Sequence, residues 1–170
     1  MDVLIFLALR VLHILTAALW LGAVVLISTF LMPTIQQAGP AGGQVMAGLA
    51  RRGLHTFMAT LSGITILSGL WLYWRFTGGL DPAISGGGVA FGVGGAVGLA
   101  AGIVGGAIVG RSGKSVVALA AKAAALPEGA ERALLLRTAE GLRQRLVTGS
   151  RVTIVLLVVA TVLMAVGHYV

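Results

Sequence analysis

VLIFLALRVLHILTAALWLGAVVLISTFLM, from Val3 to Met32, is an apolar run broken by only two ionisable side chains, Arg10 and His13. It exceeds the roughly 20 residues that a helix needs to cross the hydrocarbon core of a bilayer. An ionisable group inside a span is costly, and it marks a functional-site candidate by default. Arg10 and His13 stand one helical turn apart. Trp20 falls on the face of His13 two turns on, with Gly22 just past it.

The rest of the chain repeats the pattern. Three further apolar runs, Leu54–Trp74, Val89–Val109 and Val152–Val166, follow the first. The 170 residues are 58% hydrophobic and only 10% charged, with a mean hydropathy of +1.02. Soluble domains carry about 25% charged residues. The expected fold is all-α: one polytopic membrane domain over residues 1–170, with spans near 3–32, 54–76, 87–110 and 150–169. Residues 112–148 are expected to form a cytoplasmic helical hairpin between spans three and four. A signal peptide is the rival reading of the first run. Asp2 ahead of the run and bulky Thr29-Phe30-Leu31-Met32-Pro33 at its end argue against it.

The charge of +7 follows the loops. Arg51 and Arg52 lie between spans one and two. Arg111, Lys114, Lys122, Arg132, Arg137, Arg143, Arg145 and Arg151 lie between spans three and four. Loops rich in Lys and Arg stay cytoplasmic, so both termini are expected outside, in a bacterial inner membrane. Topology and anionic headgroups account for the basic excess without nucleic acid. The absence of cysteine removes disulfides, thiolate metal sites and thioether haem attachment.

Pro33 is expected to end span one, and a helix to restart near Gln44 and run through Arg51-Arg52 into span two. Trp71, Tyr73 and Trp74 read as an interfacial aromatic belt, ahead of a Gly-rich loop containing Asp81-Pro82. In span three Gly86, Ala90, Gly94, Gly98, Gly102, Gly106 and Gly110 recur every four residues. Such a ladder lets another backbone approach closely. It serves helix packing, or else makes room for a planar cofactor or a second subunit. The shorter ladder Ala59-Gly63 and Thr65-Gly69 suggests that spans two and three pack on each other. After a hairpin tip at Pro127-Glu128, Leu135, Ala139, Leu142 and Leu146 share one helical face. Glu128 and Arg132 are spaced to pair.

The spans contain no Asp or Glu, which argues against proton-coupled pumps and cation channels. No phosphate-binding loop or dinucleotide fingerprint is present. Helical rise places His13 about 30 Å from Pro33, and His168 about 25 Å beyond Arg151, at similar height near the outer face. His55 lies only about 4–5 Å beyond Arg52, near the inner boundary. Facing imidazoles can hold haem iron or a transition metal inside a bundle, so His13 and His168 are the candidate metal ligands. Arg10 is placed to pair with a haem propionate, and Trp20 to line the pocket. Alternatives stay open: Arg10 snorkelling to headgroups, His168 and His55 as interfacial residues, Trp20 as packing.

Span one, with Arg10-Val11-Leu12-His13 and then Trp20-Leu21-Gly22, resembles the first helix of HemJ-type protoporphyrinogen oxidases and of CopD-like membrane proteins. Arg51-Arg52 followed by a run ending Gly69-Leu70-Trp71-Leu72 is similar to the second helix of the HemJ group. The resemblance covers two of the four spans. It implies a four-helix membrane bundle with b-type haem on His13. Span three lacks the Lys and His of the HemJ group, and the fourth has Arg151-Val152-Thr153-Ile154 in place of its Asn-Glu-x-Pro. No methionine cluster stands at the outer face to hold Cu(I), as CopD-like copper handling would need. The leading expectation is haem b in electron transfer or redox chemistry with a quinone or porphyrin partner. The others are a scaffold packing on a second copy or another membrane subunit, and copper or small-solute transport.

Overall fold

A run of apolar residues can satisfy its backbone in lipid only by coiling, and the chain does so throughout. The computed structural model describes residues 2–78, 86–167 and 169, with no strand among them. Seven α-helices follow one another: α1 (Asp2–Leu26), α2 (Met32–Gln37), α3 (Pro40–Arg51), α4 (Leu54–Phe76), α5 (Gly86–Ile103), α6 (Arg111–Ala124) and α7 (Ala130–Val166). Two π-helical segments, Ile27–Leu31 and Val104–Gly110, join α1 to α2 and α5 to α6 without breaking the rod. Four helical rods are long and apolar enough to cross a membrane. Their outward faces carry exposed large apolar side chains such as Leu4, Leu15, Phe30, Leu67, Ile103 and Val155. Such a surface suits lipid. The protein is a multi-pass helical membrane protein.

The spans close into a ring. α1 packs along α4 and α5 along α7, while narrower α4–α5 and α1–α7 contacts complete the circuit. Trp20 and Val24 of α1, Leu61 of α4, Ala101 of α5 and Leu157 of α7 meet in its centre. Ala101 is fully buried and Trp20 only 4% exposed. Spans two and three do touch, but they are not the tightest pair: the closer partner of α5 is α7. The glycine ladder of α5 serves α7 more than α4. A side chain at Gly94 would press on Leu163 and Met164, and one at Gly98 would touch Ala160. Only lower down does Gly102 turn to α4, where a Cβ would sit 2.8 Å from Ile66.

Pro33 does not end the first rod. It sits in the first turn of α2, directly after the π-helical segment. A proline ring clashes with the carbonyl four residues back, here Thr29. The wider π turn at Ile27–Leu31 removes that crowding, so the helix carries on. The restart also differs from expectation. α3 begins at Pro40 after a left-handed Gly39 (φ 57°) and folds back on α2. There Gly42 lies so close to the carbonyl of Ile35 that no side chain fits. A second left-handed glycine, Gly53 (φ 78°), separates α3 from α4, so Arg51-Arg52 end one helix and do not run into the next.

The excursion between spans three and four is a hairpin of two helices, α6 and the first half of α7, turning at residues 125–129. It is no separate unit. α7 runs unbroken for 37 residues, about 55 Å at helical rise, so the fourth span and the hairpin arm are one rod. The expected face does the packing: Ala139 and Leu146 are buried, Gly113 of α6 faces Leu146, and Ala123 of α6 is buried as well. Glu128 and Arg132 pair at 3.8 Å, and Glu140 and Arg143 at 3.5 Å. Asp81-Pro82 and His168 lie outside the described residues.

Candidate functional site

The site grows from one side chain. His13 projects from α1 against α4, half-buried. A ring that size fits because the facing residue is Gly69. A Cβ there would lie 2.7 Å from His13 Cε1 and 3.2 Å from its Nδ1. Nδ1 stands 2.8 Å from the main-chain oxygen of Thr65 and 3.2 Å from Ser68 Oγ. The Ser68 hydroxyl proton goes to the Ile64 carbonyl at 2.6 Å. Both neighbours of Nδ1 are therefore acceptors, and Nδ1 carries the hydrogen. In the neutral ring this leaves the lone pair on Nε2. Among the described residues Nε2 has no hydrogen-bond partner. It is not sealed in the interior either, since no buried side-chain nitrogen or oxygen there lacks a partner.

Hydroxyls extend the cluster inward. Thr65 Oγ1 lies 2.9 Å from Thr16 Oγ1 and 2.8 Å from the Leu61 carbonyl, and Thr16 donates to the Leu12 carbonyl at 2.8 Å. Thr16, Thr65 and Ser68 are all buried. In lipid such small hydroxyl side chains cement helix pairs, and here they lock α1 to α4 around His13. Sequence reading singled out His13 but not these partners. The signal lay in Thr65-x-x-Ser68-Gly69: two hydroxyls and a glycine on one face of an otherwise apolar span.

The other candidates are dispersed. Arg10 lies one turn from His13 on α1 and is exposed. Trp20, on the same face, sits in the bundle core, 3.7 Å from a Cβ placed on Gly102. It fills the space between the four spans. His55 stands at the start of α4, ten residues ahead of Thr65, about 15 Å along the helix. Its ring lies near Gly113 of α6, so it belongs to the basic end and does not join His13. Among the described residues no group of three or more His, Cys, Asp or Glu side chains converges.

Fold and site together define a class: a four-span helical membrane protein with an oriented imidazole between its first two spans. Beyond that class, no family model, no curated protein and no solved structure matches the chain.

Proposed function

We propose that the protein binds haem b through His13 and serves electron transfer or a redox step with a lipid-soluble quinone or porphyrin partner. One observation carries this reading. Histidines that ligate metals almost always donate their second ring nitrogen to a carbonyl or carboxylate, which fixes the tautomer and aims the lone pair. His13 makes that bond, to the Thr65 carbonyl at 2.8 Å, while Nε2 is left without a protein partner. This donor set fits a haem iron held by His13. A haem held there would supply one-electron chemistry at a potential set by its ligands and burial. His13 would bind the iron, and Gly69, Ser68 and Thr65 would hold the ring in place. Arg10, one turn outward, would offset a propionate charge. His168, outside the described residues, would be the second ligand, and a haem held by two histidines would supply electron transfer rather than oxygen chemistry.

Trp20 has no pocket role in this proposal, because the core occupies it. A scaffold built on the ladder loses its main surface, because Gly94, Gly98 and Gly102 are engaged within the chain. Under the positive-inside rule the arginine-rich end faces the cytoplasm of a bacterial inner membrane, and both termini and His13 lie toward the outer face. The test is the visible spectrum of protein purified from haem-replete cells. The wild type shows a Soret band, and His13→Ala loses it while remaining folded and in the membrane. A colourless wild type, or a band that survives in His13→Ala, overturns the reading.

A further inference from the structure

At the basic end, far from His13, the π-helical segment of the third rod opens a groove against α7. α7 approaches closely at Gly149, where a Cβ would lie 3.0 Å from Ile108. Beside that crossing is a space of about 570 Å³. Its apolar lining includes Val104 and Ile108. Its polar lining is Ser112, Gln144, Arg145 and Thr148. Val152 also lines a second space of about 250 Å³, bordered by Arg151, Val155 and Leu156 of α7. Arg145 forms no ion pair among the described residues. The nearest acid on the rod, Glu140, is taken by Arg143 and Gln144.

The two spaces share Val152, so a cationic, hydrogen-bonding head adjoins an apolar tail. From Arg145 to Leu156 the rod rises about 16 Å, of which about 8 Å lies beyond Arg151. The head, Arg145 beside Ser112, lies about 9 Å on the hairpin side of Arg151 along the rod, and the tail begins at Arg151 and runs away from the hairpin. We propose that this groove binds one anionic phospholipid. The phosphate is held by Arg145 with the Thr148 and Ser112 hydroxyls, and an acyl chain lies along Val152, Val155 and Leu156. A basic side chain gives the head its sign. The apolar continuation is what separates a lipid from a free phosphate.

The experiment is native mass spectrometry of the full chain, released from detergent with phosphatidylglycerol or phosphatidylcholine added. The wild type keeps one phosphatidylglycerol in preference to phosphatidylcholine. Arg145→Gln lowers that preference roughly fivefold, the factor for one basic group at an anionic surface. Val152→Trp, which blocks the tail but keeps the charge, lowers retention of phosphatidylglycerol. Thr148→Val serves as a milder second test of the head, should Arg145→Gln fail to fold. Equal retention of the two lipids by the wild type overturns the proposal. So does unchanged retention in the folded variants. Displacement of the lipid by excess inorganic phosphate would show a bare anion site instead. A dimer peak abolished by Val152→Trp would show that a second copy fills the groove.

Discussion

His13 is held by a main-chain carbonyl, and a carbonyl cannot be removed by mutating its side chain. The sensitive neighbour is therefore Gly69. A methyl at Gly69 would stand 2.7 Å from the imidazole, so the ring must leave its place or the helices must part. Gly69→Ala is expected to destabilise the protein by about 1–3 kcal/mol, the usual cost of overpacking. It should also break the Nδ1–Thr65 bond, seen as loss of the fixed tautomer in nitrogen-15 spectra of His13. Gly63→Ala is the control. It lies on the same helix with open space around it, and it should leave both readouts unchanged. At this scale the sequence was informative about one partner only. An arginine and a histidine in an apolar run announce themselves, because their burial needs a reason. The acceptors do not, because a backbone carbonyl carries no sequence signature.

Elements follow from periodicity more readily than from punctuation. The four apolar runs and the leucine face of the hairpin gave the helices. Pro33 and Gly53 act as punctuation in opposite senses. Pro33 looked like a terminus, but a widened turn absorbs it, while Gly53 in its left-handed conformation ends a helix where continuity was expected. The ladder in α5 signals close approach without naming the neighbour, and α7 rather than α4 takes most of it. Gly102 makes the consequence measurable. Its neighbours Ile66 and Trp20 belong to the same chain, so Gly102→Leu should lower thermal stability by about 1–3 kcal/mol through overpacking. It should leave the oligomeric state as it is. A change in oligomer mass with stability intact would mean that the ladder faces a partner. Pro33→Ala should let Ile27–Leu31 relax toward a regular α-helix, since the clash that widens the turn is gone. Slower amide exchange through that segment would register it.

For the whole molecule, one physical asymmetry sets the arrangement: ten of the twelve Lys and Arg residues, all but Arg10 and Arg75, gather at one end of the rods. With no native cysteine, a single Cys at Ala125 in the hairpin turn is a clean reporter. An impermeant maleimide should label it in inverted inner-membrane vesicles and not in intact spheroplasts. The reverse pattern would turn the bundle over and move His13 to the cytoplasmic side. Sequence patterning was enough for the class, because composition alone forces these helices into lipid. It was not enough for the way the third and fourth rods run on into the hairpin without a break in either helix. The account as a whole turns on His13, and a hemin titration of the detergent-purified chain tests it most directly. The wild type should show a saturable Soret shift at one haem per chain, and His13→Ala should show none. Identical titrations of the two proteins would contradict it.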